Sequence, residues 1–239
     1  MLQRLDLSKI LFLDIETVPH EATLDQLSPE WRELWEAKAA TLRKDEPADD
    51  DLYTRAGIYA EFGKVVCVSV GYFNLKPGKP RQFRLRSFFG HDERELLTDL
   101  FALLDRHFNR RDSLLCAHNG KEFDFPYLAR RGVTLGLKLP QVLDMAGRKP
   151  WEVPHLDTME LWKFGDRKSY TSLRLLAATL GIATPKDDIK GKDVYRVYHH
   201  DNDLSRIERY CRKDTLTVAQ VVLRFRGEAL LTDNEVVEA

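Results

Sequence analysis

Ile10-Leu11-Phe12-Leu13-Asp14-Ile15-Glu16 is the stretch on which the fold turns. It is short, mostly apolar and closed by Pro19, the pattern of a central strand. Side chains alternate faces along a strand. Ile10, Phe12, Asp14 and Glu16 therefore share one face, and Leu11, Leu13 and Ile15 share the other. Two carboxylates point the same way from the end of an otherwise apolar strand. A strand emerging into solvent, with Glu16 exposed, explains such a triplet equally well in isolation.

Working outward, residues 20–64 read as a helical and loop insertion. Ser28-Pro29-Glu30 is a helix start, with Ser as N-cap and Pro at the first helical position. Trp31, Leu34, Trp35 and Leu42 mark one face of that helix, and the acidic run Lys44–Asp51 reads as a solvated loop. Strands are expected near 65–73 and 82–89, joined by a turn at Lys76-Pro77-Gly78-Lys79-Pro80. A helix near 92–108, a strand at 113–117, a helix near 122–131, a short strand at 155–158 and helices near 171–181 and 204–226 complete the pattern. Three neighbouring strands followed by alternating strands and helices argue a mixed sheet covered by helices, an α/β architecture.

The composition fits one folded domain. The chain has 239 residues, 37 Lys+Arg against 38 Asp+Glu, a formal net charge of -1 and 43% hydrophobic residues, which excludes a largely disordered protein. No apolar run approaches the roughly 20 residues of a membrane span, and the first residues carry no apolar signal core. A cytoplasmic location and no membrane partner are the expectations. Cys67, Cys116 and Cys211 are too few and too scattered for a disulfide framework or a zinc site, and read as small buried apolar residues. The balanced charge excludes broad electrostatic coating of nucleic acid, so any such contact must be local.

Two further places carry acids where apolar residues are expected. In the last helix, Ile207, Tyr210, Cys211, Val218, Val221, Val222 and Phe225 define a buried stripe, and Asp214 lies in its middle. A buried carboxylate must be paired, neutralised or metal-bound. Tyr210 lies one turn before it on the same face. The second place is Ala117-His118-Asn119-Gly120-Lys121-Glu122-Phe123-Asp124-Phe125, where a strand ends and a helix begins. Asn119 with Glu122 has capping-box spacing, and Asp124 in the first turn suits the helix dipole. Ligands in open α/β sheets gather outside strand carboxyl ends, which is where Asp14, Glu16 and Asp124 all lie.

D-x-E on the first strand, N-x3-F-D after a later strand and Y-x3-D on the closing helix occur in this order. The combination resembles the three motifs of the DnaQ-like 3'-5' exonucleases, the DEDD superfamily with a ribonuclease H-like fold. Tyrosine four before the aspartate resembles the DEDDy branch. The histidine branch would need His five before Asp214, where this chain has Arg209. Phe62-Gly63-Lys64-Val65-Val66-Cys67-Val68-Ser69 and Lys186-Asp187-Asp188-Ile189-Lys190-Gly191-Lys192-Asp193-Val194 are similar to the stand-alone bacterial family related to the proofreading domain of family B DNA polymerases. The likeness spans roughly residues 10–225.

That resemblance implies a single exonuclease domain over residues 1–239: a mixed five-stranded sheet flanked by helices, with a helical insertion after the first strand and a flexible tail at 227–239. It implies two divalent cations, Mg²⁺ or Mn²⁺, held by Asp14, Glu16, Asp124 and Asp214, whose four negative charges match four positive ones. Asp14 would bridge both ions, Glu16 and Asp214 would complete one site, and Asp124 would hold the second ion through water. Tyr210 would orient the attacking water. The expected reaction releases nucleoside 5'-monophosphates from a single-stranded 3' end, with DNA the first expectation. An exoribonuclease of the same branch and a catalytically silent binding module are the alternatives. Substrate contacts are expected from Ile15 and Thr17, from Asn119 and Phe123, and from Lys168 and Tyr170 within the basic stretch Lys163, Arg167, Lys168, Tyr170, Arg174. For Asn119 and Phe123, capping and packing serve as well. His118 is expected to be structural, and Trp31 and Trp35 to pack in a core. A repair role, alone or with a protein partner, is compatible with such an activity.

Overall fold

A computed structural model of the chain describes residues 2–42, 52–166, 170–183 and 189–238. Six strands form one sheet: β1 (Ile10–Pro19), β2 (Gly63–Asn74), β3 (Gln82–Phe89), β4 (Leu114–Ala117), β5 (Leu156–Asp157) and β6 (Val236–Glu238), in the order β5-β4-β1-β2-β3-β6. β1 to β3 form an antiparallel meander, while β4 pairs parallel with β1, β5 with β4 and β6 with β3. The turn between β2 and β3 places Gly78 at φ 73°, a left-handed conformation that glycine adopts without steric penalty.

Seven α-helices accompany the sheet: α1 (Pro29–Leu42), α2 (Glu93–His107), α3 (Asp124–Thr134), α4 (Thr158–Lys163), α5 (Leu173–Thr179), α6 (Val194–His199) and α7 (Leu204–Arg226). The alternation in β1 sorts the layers. Leu11, Leu13 and Ile15 pack with Leu97, Leu100 and Leu104 of α2 and Phe125 and Leu128 of α3. Ile10 and Phe12 pack on the opposite face with Val218, Ala219 and Val222 of α7. Farther along that face Val18 and Cys67 meet Ile207 and Cys211. The face that carries Asp14 and Glu16 is thus the one α7 covers. The helix starts at the Asp203 cap, whose side chain accepts from the Arg206 N–H, and stops at Gly227 at φ 70°.

Two expectations change. The sheet has six strands, and the segment 227–238 that reads as a flexible tail carries the sixth. Arg81 holds it, with Nε donating to Glu235 Oε1 at 2.9 Å and its terminal nitrogens to the Ala229 and Leu230 carbonyls. The Gln220 amide donates to the Leu231 carbonyl and accepts from the Leu231 N–H. Arg81 lies about 150 residues before its partners, so composition does not reveal that contact.

The insertion contains α1, which begins at Pro29 as expected. Trp35 is buried against Tyr53 and Phe62 with rings edge-on. Trp31 and Leu34, expected on the same buried face, are 43% and 49% exposed because this small core closes around Trp35 and Ala39, with Leu42 of the helix packed at its edge. The acidic run 44–51 lies outside the described residues.

One buried ion pair ties the insertion to the sheet. Arg131 on α3 and Glu93 on α2 are 2% and 6% exposed in their side chains and form a two-pronged contact at 2.6 and 2.9 Å. The same guanidinium donates to the Ala60 carbonyl, and the same carboxylate accepts from the Val65 N–H at the start of β2. Removing one member leaves the other charge buried. Arg131→Met is therefore expected to lose about 3–5 kcal/mol in urea unfolding. Glu93→Leu combined with Arg131→Met is expected to lose less than Arg131→Met alone. Equal or greater loss in the double variant would contradict this account of the pair.

Candidate active site

β4 ends opposite Phe12, and β1 runs on alone on that side. The Ile15 N–H beyond that point donates to Asp124 Oδ1 at 3.2 Å. Asp124 is the first residue of α3 and is 3% exposed, so the helix begins against the strand that carries Asp14 and Glu16. Glu16 is buried rather than emerging into solvent.

α7 is fastened over the same place by side chains one turn apart. The Cys211 thiol donates to the Asp14 carbonyl at 3.2 Å, and the Thr215 hydroxyl donates to the Ser69 carbonyl at 3.2 Å. Asp14 and Ser69 are directly paired across β1 and β2. These bonds fix the rotation of α7 and bring Tyr210 and Asp214, on either side of Cys211, to the middle of β1, where Asp14 and Glu16 lie; the strand continues to Pro19, so these acids do not end it as expected. Asp214 is half-buried at this border and is hydrogen-bonded with Tyr210.

The electrostatics follow from the crowding. Burial pushes the Asp14 carboxyl well above its ordinary range, and the charges of Glu16, Asp214 and Asp124 push it further. Glu16 is raised well above its range by burial and then by Asp214. Asp124 is raised to about 7, chiefly by burial, although the N–H groups it accepts oppose the shift. The Tyr210 phenol is driven upward by burial and by Asp214, Glu16 and Asp14, so it stays protonated and can donate.

The donor set suits a hard divalent cation. Asp14, Glu16 and Cys211 each bring one ligand atom within 4.8 Å of the others. Asp14 Oδ2 is buried and has no hydrogen-bond partner, a costly state for a carboxylate oxygen that a cation would relieve. The Cys211 proton is directed at a backbone carbonyl, which leaves the carboxylates as the available donors. Asp124 and Asp214 flank the group, near enough for their charges to act on Asp14.

The sequence of this chain is matched by the model of a family described as a predicted 3'-5' exonuclease related to the exonuclease domain of PolB, over residues 58–236. The chain belongs to that family. The PolB-exonuclease match includes Asp124, Tyr210 and Asp214 and begins after β1, so Asp14 and Glu16 precede it. Among solved structures, the chain is similar to the family B DNA polymerase from the hyperthermophilic archaeon Pyrobaculum calidifontis, with 19% identity and a TM-score of 0.50. The likeness covers 90% of this chain and 24% of the polymerase, and it shows a shared fold. The ribonuclease H-like architecture expected for this PolB-related family is therefore the one observed, with a sixth strand added. No helix among the described residues is long and apolar enough to cross a membrane.

The other expected contacts divide. Asn119 does not close a capping box with its side chain. It is left-handed at φ 62°, its N–H donates to Asp157 Oδ1, and its own Oδ1 is buried without a partner. Phe123 packs against Tyr127 with ring centroids 5.4 Å apart. Ile15 is buried, with its N–H given to Asp124. The Thr17 side chain is hydrogen-bonded to Tyr127. Tyr170 is 74% exposed, next to Thr171, whose carbonyl accepts from His118 Nε2 at 2.8 Å. His118 is half-buried, with Nδ1 hydrogen-bonded to the Thr158 hydroxyl and Nε2 to the Thr171 carbonyl. Arg167 and Lys168 lie outside the described residues, as do Lys186, Asp187 and Asp188.

Asp157 is the residue the sequence reading passes over. It is 2% exposed and accepts from the N–H groups of Asn119, Lys121, Met159 and Glu160. One carboxylate thereby ties the loop that leads to Asp124 to the start of α4. The available signal was an Asp directly after a short strand with Glu three residues on, which marks a helix start.

The raised carboxyls have a measurable consequence. An acid whose folded pKa exceeds its unfolded value of about 4 stabilises the fold below that value and loses the contribution as pH rises through the folded pKa. Asp124 alone places this window between about 4 and about 7. Metal-free protein should therefore melt at falling temperature as pH rises through this window. Divalent cation at 100 times its dissociation constant should restore about 2.7 kcal/mol. Asp14→Asn should flatten the pH dependence and abolish the metal-induced shift. A melt in EDTA that rises across this range, or an unaltered metal shift in the variant, would contradict the assignment of these groups.

Proposed function

We propose that this chain is a metal-dependent 3'-5' exonuclease acting on single-stranded nucleic acid, DNA first. The observation that carries the reading is the convergence of Asp14, Glu16, Asp124, Tyr210 and Asp214 beside the middle of β1, with a buried Asp14 oxygen left unpartnered. Membership in a family of predicted 3'-5' exonucleases supports it. Two Mg²⁺ or Mn²⁺ ions held by the four carboxylates would supply Lewis acidity and neutralise the charge that develops on the phosphoryl oxygens.

The chain's own groups have the following parts. Asp14, Glu16, Asp124 and Asp214 would hold the ions, and the charges of the other three act on Asp14. Tyr210, kept protonated by its anionic neighbours, holds the attacking water by a hydrogen bond and does not take its proton. The water gives up a proton to surrounding solvent, and its oxygen bonds to phosphorus as the P–O3' bond breaks. The departing 3' oxygen takes up a proton, and the products are a nucleoside 5'-monophosphate and a chain one residue shorter. The Ile15–Asp124 bond and the Cys211 and Thr215 clasps set the distances among the acids.

Asp14→Ala and Asp214→Ala are each expected to abolish EDTA-sensitive digestion of a 5'-labelled single strand while the far-ultraviolet spectrum is retained. Undiminished digestion by either variant would overturn the proposal. Tyr210→Phe is expected to slow single-turnover hydrolysis about 100–1000-fold, the scale of one well-placed hydrogen-bond donor. An unchanged rate would remove its role. DNA and RNA strands of identical sequence, digested side by side, decide between the two substrates, and a wild-type protein that binds but digests neither is the silent module.

A further inference from the structure

Two cavities outside the carboxylate group share a wall. One, of about 390 Å³, is lined by Asn119, Arg130, Met145, Arg148 and Lys163 among others. The other, of about 260 Å³, is lined by Arg110, Arg111, Met145 and Arg148 among others. Met145 and Arg148 border both, so the two lie side by side across these residues. The first begins at Asn119, five residues before Asp124, where Asn119 Oδ1 is buried and unpartnered. The second lies beside Ser113, at the opposite end of β4.

The charges along this path are unbalanced. Arg111, Arg130 and Arg148 are exposed, and among the described residues none of them makes an ion pair. The acids nearby are partly spent. Glu160 is paired with Lys121 at 2.7 Å, and both Asp157 oxygens accept backbone N–H groups. Asp112 beside Arg110 is held by Lys9 at 2.6 Å. Glu122 and Asp144 are the remaining acids of the two linings, and both are exposed. In a chain of net charge -1, unpaired arginines along two adjoining cavities are a local cationic path. Guanidinium groups bind phosphate oxygens by two parallel hydrogen bonds, so several of them along one path suit a chain of phosphates better than a single anion.

We propose that this path, from Asn119 past Arg130 and Arg148 to Arg110 and Arg111, holds the sugar-phosphate backbone of the single strand upstream of its 3' terminus. Its direction rests on the exonuclease reading; its affinity for a polyanion does not. The path determines how long a strand must be to bind well. The 3' terminal residue alone occupies the carboxylate group, and residues behind it occupy the arginines.

The test pairs Arg111→Gln/Arg148→Gln with the wild-type full chain. Binding of a fluorescent single strand of about 16 nucleotides is titrated in EDTA over a series of salt concentrations. Loss of two phosphate contacts is expected to weaken binding about tenfold and to flatten the log–log salt slope by about 1.4, at roughly 0.7 per contact for single strands. With Mg²⁺ present, KM for the long strand is expected to rise while kcat, and hydrolysis of a dinucleotide, remain at wild-type values. Wild-type affinity and salt slope in the variant overturn the proposal. So does an equal loss on dinucleotide and long strand, which would place the arginines at the terminal residue. Failure of the wild-type protein to digest either substrate overturns the exonuclease reading alone, and the binding slopes still decide the path.

Discussion

Four carboxylates drawn toward one point repel one another, and the fold around that point is organised to resist the repulsion. Asp14 and Glu16 are committed by the β1–β2 ladder, which runs on both sides of them. Asp124 is committed by the Ile15 N–H, and Asp214 by the bonds Cys211 and Thr215 make to the strands below. Each constraint uses a backbone group of the sheet, the least deformable layer of the protein. Moving one acid away would break a bond to a strand, so the crowding persists and appears as raised carboxyl pKa values. A scaffold that holds charges in a high-energy arrangement is what a cation site needs. Little rearrangement is left for the ion to drive, and the repulsion it relieves adds to its affinity.

The same geometry explains the supporting groups. Asp157 spends its charge on four N–H groups, which makes it an anchor for the Asn119 loop and unsuited to bind a cation. Tyr210 is surrounded by acids, so its phenol is a donor and cannot become a base. The Glu93–Arg131 pair sits on the other face of the sheet. It fixes α3, and thus Asp124, against the start of β2 and the insertion.

Much of this arrangement was legible in the residue order, because it rests on periodicity. Alternation in β1 assigned the two faces, and the apolar stripe placed α7 within its observed bounds. The expected strand at 82–89 also coincides with β3. What escaped depends on partners remote in sequence. β6 is three residues long and is retained by Arg81 and Gln220. Asn119 reads as a cap because its spacing to Glu122 is local, whereas the acceptor that decides its conformation is Asp157, 38 residues away. Asp214 falls in the stripe by count, yet it is half-buried because α7 reaches the rim of the site there.

A polyanionic substrate must approach a site that is itself anionic, and that conflict shapes the surface beyond it. Cations placed among the four acids would pair with them and compete for the oxygens a divalent ion requires. Cations set farther off, where salt screens them from the acids over roughly 10 Å, can still hold phosphates that trail the reacting end. Arg110 and Arg111 line the cavity beside Ser113, at the far end of β4 from Asn119, and Arg148 borders that cavity and the one that begins at Asn119. A balanced total charge then does not argue against a nucleic-acid enzyme. Such a total says nothing of how the two signs are distributed over the surface.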